Sequence, residues 1–230
     1  PFHAKWHVEP DKPRTFDIEL AKQKLTDAGY PLDASGQRLD KEGKAINLRL
    51  YLPTDSPFYA PSAAFIKDWF ALIGIPVSTS VFDEAALYEK ELSPEAGEGY
   101  TADWDMVVWG WTGYADPNPL LQIFTTDAIG GASDSFYSNP TYDRLFNEQN
   151  TASSEDQRHD LMAQMQNLFY DEAPYHVLFY DDTLVAYRTD KFGSWQNQPA
   201  NGVPLFGYGS LGYTTLTEPV IATPAPIATA

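Results

Sequence analysis

Residues 111–118, W-T-G-Y-A-D-P-N, gather side chains suited to holding a small molecule. Trp111 and Tyr114 offer rings, Thr112 a hydroxyl, Gly113 an open backbone, Asp116 a charge and Asn118 an amide. Rings with a few polar groups are how ligand pockets are lined, so the chemistry expected is non-covalent capture. Tyr137 and Ser138 come just before a helical pattern whose first N–H groups could meet an anionic ligand. Trp195 reads as either a lid over the same cleft or plain packing. Trp109, one residue before Gly110, reads as core.

Covalent chemistry finds less support. Asp181 and Asp182 are adjacent, so their side chains diverge on a strand or are solvated on a turn, and neither arrangement suits paired acid–base work. Asp103 and Asp105 share a face at the start of a strand, where solvation is the ordinary outcome. His159 sits in the charged run Arg158-His159-Asp160 and is expected to be exposed; His176 lies in an apolar run and is expected in the core. His3 and His7 have the four-residue spacing of helical metal ligands, but Pro10 and Pro13 oppose a helix there. G-x-S-x-G and Walker patterns are missing from the sequence. No catalytic residue, metal site or cofactor is therefore expected.

The elements that must position the 111–118 turn can be read in order. Residues 1–14 hold three prolines and no period. Asp17 caps a helix to about Ala28 with Ile18, Ala21, Leu25 and Ala28 on one face and Gly29 as its stop. Gly36 and Gly43 punctuate a hairpin-like excursion. Ile46, Leu48, Leu50 and Leu52 alternate with polar neighbours as a half-buried strand. A helix from Ser56-Pro57 to Ile73 follows, with Ala63, Ile66, Phe70 and Ile73 inward, widened by Trp69. Ile75–Phe82 returns as a strand, completing a βαβ unit. Asp83–Leu92 reads as a helix and residues 93–102 as a mobile loop.

Met106–Trp109, uncharged and containing Val107-Val108, reads as a buried strand broken by Gly110. It delivers the 111–118 turn to its carboxyl end, where open α/β sheets bind ligands. A short helix spans about 118–125. Ser138 or Asn139 caps a helix opened by Pro140, with Tyr142, Leu145, Phe146 and Gln149 following. Ser154 and Gln157 form a capping box for a long helix to Glu172, with Leu161, Met165, Leu168 and Phe169 inward and Pro174 as its stop. Tyr175–Tyr180 and Thr183–Thr189 read as two strands. Residues 196–215 read as an irregular returning segment, and 216–230, rich in Pro, Thr and Ala, as a linker or tail.

Composition bounds the function. The 230 residues carry 32 acids against 15 bases, a net charge of −17, which repels nucleic acid and anionic membranes. With no cysteine, disulfides, thiolate zinc sites and thiol catalysis are excluded. No apolar run is long enough to span a membrane. Aromatic residues are plentiful (6 Trp, 14 Tyr, 13 Phe), a bias that suits surfaces for sugars or peptides. A chain that starts at Pro1 without a signal peptide reads as a piece of something longer.

Four stretches resemble a known family. FDIELAKQKLTDAGY is similar to its opening helix, and FIKDWFALIGIPV to its helix-Gly-Ile-strand crossover. DWDMVVWGWTGYADPNP is similar to its strand and Gly-Trp turn before an acid–Pro pair. FYSNPTYDRLFNEQN with RHDLMAQMQNLFYDEAPYHVLFY is similar to its Ser-Asn-Pro helix and the long helix after it. On these motifs, over residues 1–195, the chain resembles the C-terminal lobe of the family 5 extracellular solute-binding proteins, the peptide-binding components of ABC importers.

The resemblance implies an α/β fold, one lobe of a type II periplasmic-binding-protein-like architecture of the peptide-binding cluster, with a mixed sheet flanked by helices over residues 15–195. It implies a peptide or similar small-molecule ligand, an N-terminal lobe of the same parent chain, and an ABC permease as partners, outside the cytoplasm. Trp111 matches the family's cleft tryptophan. In peptide-binding members an Asp three residues after that tryptophan pairs with the peptide's amino terminus. Tyr114 stands there in this chain, which leaves Asp116 either to cap the next helix or to take the cation contact. Two rival functions remain at this level: a carbohydrate-active enzyme, given acids and tryptophans together, and a stalk-borne surface interaction domain.

Overall fold

Leu48, Leu50 and Leu52 alternate with Arg49 and Tyr51, and that alternation becomes β1 (Leu48–Pro53), the middle strand of a small sheet. The computed structural model describes residues 5–54, 56–92, 102–111, 116–180, 184–198, 203–204 and 216–218, in two units, Pro1–His176 and Val177–Ala230.

In the first unit β1 pairs in parallel with β2 (Val77–Phe82), Leu50 opposite Thr79 and Leu52 opposite Val81. On its other side it pairs in parallel with β3 (Met106–Val107), Leu50 opposite Met106. Parallel neighbours need a crossover, and α2 (Tyr59–Leu72) supplies it between β1 and β2. Leu50, Leu52, Ala63, Val77 and Val108 close the core between sheet and helix, with Ile66 and Phe70 packed on it. Each large aliphatic side chain so buried contributes about 1.5–3 kcal/mol. The outer face of α2 stays aromatic and open: Phe65 stacks on Trp69 at 6.0 Å, and Phe16 meets Trp69 edge-on at 6.1 Å.

The excursion between α1 (Ile18–Asp27) and β1 is built twice from one device. Asp33 Oδ1 accepts from the N–H groups of Ser35 and Gln37, and Asp40 Oδ1 from those of Glu42 and Lys44. Gly74 must be glycine: its φ is +83°, and a Cβ would lie 2.5 Å from the Gly36 carbonyl oxygen. β2 is an edge strand; only Val77 is buried, and Val81 faces outward. Asp83 accepts from Ala86 N at 3.0 Å and so caps α3 (Glu84–Glu91).

α4 (Asn118–Gln122) and a 3₁₀ turn (Thr126–Ala128) lead to α5 (Pro140–Asn150) and α6 (Glu155–Glu172). Asn139 caps α5, accepting from Thr141 N and Tyr142 N, with Pro140 in the first position. Ser154 accepts from Gln157 N at 3.2 Å, but the Gln157 side chain reaches back to Ser153 N rather than to Ser154. Tyr142, Leu145, Phe146 and Met165 form a second core. α6 stops at Ala173, which takes the left-handed φ of 51° just before Pro174. Residues 6–14 lie along α6: Gln166 Nε2 donates to Trp6 O, Val8 N to Gln166 Oε1, Asp11 N to Asn167 Oδ1 and Arg14 N to the Tyr170 hydroxyl.

Several expectations need correction. Residues 175–180 and 184–189 form no strand; alternation alone makes none without a ladder partner, and Val177, Phe179, Tyr180 and Leu184 are exposed. His176 is accordingly exposed rather than core, and His159 is half-buried, stacked on Trp6 at 6.3 Å. Trp69 lies outside the inner stripe, and α1 buries no residue fully. Asp103 and Asp105 are not merely solvated: Lys90 meets Asp103 at 2.6 Å and Arg49 meets Asp105 at 2.9 Å. The 93–102 loop lies outside the described residues except for Ala102, as does His3. In the second unit β4 (Asn197–Gln198) and β5 (Val203–Pro204) pair antiparallel. No helix among the described residues is long and apolar enough to cross a membrane.

Candidate functional site

β3 is short, but its ladder runs on: Val108 N donates to Tyr51 O at 2.9 Å. Trp109 is half-buried and tilts against Tyr88, ring centres 6.3 Å apart. At Gly110 a Cβ would lie 2.6 Å from the Tyr59 hydroxyl, so glycine lets that hydroxyl approach the backbone. Trp111 then swings outward and is 37% exposed. Its edge is held: the indole Nε1–H donates to Asp134 Oδ2 at 2.7 Å, with the Tyr175 hydroxyl 3.4 Å away. A pinned ring with an open face is a preorganised stacking surface.

Asp134 and Tyr175 are thus parts of the Trp111 site that the sequence reading missed, and Glu91 is a third. Asp134 is 6% exposed and Glu91 0%. Burial pushes the Glu91 carboxyl up to about 9, and the Asp134 charge adds to the rise. Burial also raises Asp134, against the pull of its bonds from Tyr175 and Trp111. The Tyr175 hydroxyl is driven up by burial first and by Asp134 second. Phe136, two residues on, holds the left-handed φ of 51° and stacks on Trp104 at 5.7 Å, fixing the far end of the 133–136 loop. Two signals existed in the sequence: the S-D-S triplet before two aromatics, and an acid at the last position of a helix, where the macrodipole disfavours it.

The other expected site residues separate. Thr112, Gly113 and Tyr114 lie outside the described residues. Asp116 does cap, accepting from Asn118 N at 2.8 Å, and both its oxygens also receive Arg158 at 2.7 Å. That bidentate bond raises Arg158 further and meets the Asp116 charge from within the fold. Asn118 Oδ1 accepts from Gln149 Nε2 at 2.6 Å. The Tyr137 hydroxyl donates to Glu172, and burial together with that carboxylate raises its pKa. Ser138 bonds the Thr126 hydroxyl at 2.9 Å. Trp195 belongs to the second unit, where it packs on Tyr187 at 4.6 Å and donates to Phe192 O.

Two acids beside a tryptophan could hydrolyse a glycoside only if a sugar could reach them. Glu91 and Asp134 are closed off from solvent beneath the ring. The accessible chemistry at Trp111 is stacking.

Comparison with known proteins agrees. Residues 1–132 match the family model described as bacterial extracellular solute-binding proteins, family 5 Middle. The chain belongs to the family 5 bacterial extracellular solute-binding proteins. It is 26% identical over 172 residues to the oligopeptide-binding protein AppA of Bacillus subtilis, covering 74% of this chain and 30% of that protein. It is also 26% identical over 171 residues to Bacillus subtilis OppA, covering 74% and 29%. It therefore spans less than a third of the length of these curated relatives.

The structure of AppA in complex with a nonapeptide superposes with a TM-score of 0.65 at 25% identity, covering 74% of this chain and 32% of that one. A periplasmic oligopeptide-binding protein of Thermotoga maritima gives a TM-score of 0.73 over 94% of this chain and 41% of that one; at 19% identity this is a likeness of fold. The α/β periplasmic-binding-protein-like fold expected from the motifs is the one observed, its sheet parallel in the first unit.

Proposed function

We propose that this chain is the ligand-capturing lobe of an extracytoplasmic solute-binding protein that hands an intact peptide or similar small solute to an ABC permease. The observation that carries this reading is Trp111: a ring with an open face at the carboxyl end of a strand, its N–H fixed by a buried carboxylate. Support for a peptide comes from relatives named for binding oligopeptides. On this reading residues 15–195 are the lobe, 196–215 a returning segment and 216–230 a linker.

Trp111 forms one wall. An N-terminal lobe of the parent chain closes over the ligand, which stabilises the closed form by differential contact. With Asp116 already paired to Arg158, a ligand ammonium gains no free countercharge from it. The lobe is not an enzyme, because delivery requires release of the solute unchanged.

The test is native mass spectrometry of the chain within its full-length parent, mixed with defined peptide pools. An intact peptide bound one to one is expected, and Trp111→Ala should weaken it about tenfold or more, since each tenfold is 1.4 kcal/mol. Hydrolysis fragments in place of intact peptide, or unchanged affinity in the variant, would reject the reading.

A further inference from the structure

Behind the Trp111 ring lies a group of oxygen atoms with nothing to bind. Both carboxylate oxygens of Glu91, Oδ1 of Asp134 and the hydroxyls of Ser133 and Ser135 are buried and make no hydrogen bond. Glu91 and Ser133 are 0% exposed, and Asp134 is 6%. The two acids are close enough for the charge of Asp134 to act on Glu91 and for both to act on Tyr175. Among the ion pairs of the described residues, none includes either acid; the nearest lysine in sequence, Lys90, is spent on Asp103 at 2.6 Å. The side-chain donors that reach the group among the described residues, Trp111 Nε1–H and the Tyr175 hydroxyl, go to Asp134 and leave Glu91 untouched.

Such an arrangement is costly as it stands. Buried polar atoms normally have partners, and an isolated buried carboxylate costs several kcal/mol. Glu91 is also the last residue of α3, where the helix already presents the negative end of its dipole. Each feature asks for positive charge at one place. We infer that Glu91, Asp134, Ser133 and Ser135 form a buried site for a hard divalent cation, for which Ca²⁺ is the best fit.

The chemistry selects the ion. The unpartnered atoms of Glu91, Ser133, Asp134 and Ser135 are all oxygen, with no thiolate or imidazole among them, which favours a hard cation over zinc or copper. Two carboxylates balance a double charge, and Ca²⁺ accepts carboxylate and neutral oxygens in flexible numbers, where Mg²⁺ holds to strict octahedra and its own water. The ion would fix the C-terminus of α3 to the 133–136 loop. It would thereby set the position of Asp134, which holds the indole. The site acts behind the ligand surface and does not depend on what the solute is.

The experiment uses the 230-residue chain stripped with EDTA. Ca²⁺ at millimolar concentration should raise Tm by about 4 °C or more, with Mg²⁺ giving a clearly smaller rise. Tb³⁺ should bind with luminescence sensitised through indole excitation and be displaced by Ca²⁺; Trp111→Phe should remove most of that emission. Glu91→Gln and Asp134→Asn should abolish the Ca²⁺ response, while Glu19→Gln, an exposed acid, should leave it intact. Equal melting in EDTA and Ca²⁺, or a response shared equally by Glu19→Gln and Glu91→Gln, would overturn the inference. Should Glu91→Gln not fold, Tb³⁺ binding to the unaltered chain decides: no sensitised emission rejects the site.

Discussion

Gln149 and Glu91 are both sealed from solvent, at 1% and 0% exposure, yet the fold treats them in opposite ways. Gln149 is fully engaged: its Nε2 donates to Asn118 Oδ1 at 2.6 Å and Asn150 Oδ1 at 2.8 Å, and its Oε1 accepts from Arg158 Nε at 2.9 Å. Arg158 passes the network on to Asp116 and lies over the Trp6 ring at 4.8 Å. Glu91 touches no donor. A closed polar network fixes how α4, α5 and α6 sit together. An open one leaves desolvated atoms that a bound ion could satisfy. The helical half of the first unit is finished by its own residues; the corner behind Trp111 is not.

The comparison can be strained at its strongest point first. Tyr142 is 1% exposed at the centre of the helical core, with its hydroxyl on Leu121 O at 2.9 Å. Tyr142→Ala should cost about 3–5 kcal/mol in urea unfolding, as large aromatic deletions do. Gln149→Leu keeps the volume but strands Arg158 Nε and Asn118 Oδ1, and should cost about 1–3 kcal/mol. Glu91→Gln, measured in EDTA at neutral pH, should lie within about 0.5 kcal/mol of the parent, since a carboxyl whose pKa is pushed up to about 9 is already neutral there and no bond is broken. Equal losses for Gln149→Leu and Glu91→Gln would end the distinction between the two halves.

The smallest effect comes from the sheet edge. Arg49 holds the Asp105 carboxyl below its ordinary value of 3.8, first through their side-chain hydrogen bond. A folded-state value below the unfolded one means stability that is complete above 3.8 and is lost as pH falls through the lowered value. Asp105→Asn should therefore remove part of the acid limb of a Tm-versus-pH curve and change little at neutral pH. A limb that steepens in the variant would contradict this.

Local signals carried much of the fold. Asn139, Pro140 and the Tyr142-Leu145-Phe146-Gln149 spacing specify α5 locally, and all four spaced residues are buried. The βαβ unit was equally legible, because alternation and helical period are written in neighbouring residues. What failed depends on distant partners. The alternation of 175–180 is real, but a strand exists only when another backbone meets it. Trp111 could be chosen from its glycine and its strand, whereas Asp134, Tyr175 and Glu91 converge on it only through the tertiary fold. Asp116 had two readings, and only the arrival of Arg158 from α6 separates them.

The first residues described look expendable in the sequence, with prolines and no period, yet residues 6–14 use Gln166, Asn167, Tyr170 and Asp171 as rungs along α6. Anyone choosing cloning boundaries by hydrophobic pattern would begin near residue 15 and cut this brace away. The shortened polypeptide would carry a bare polar stripe on its longest helix, and its handling in the laboratory would say more about the missing strap than about the lobe.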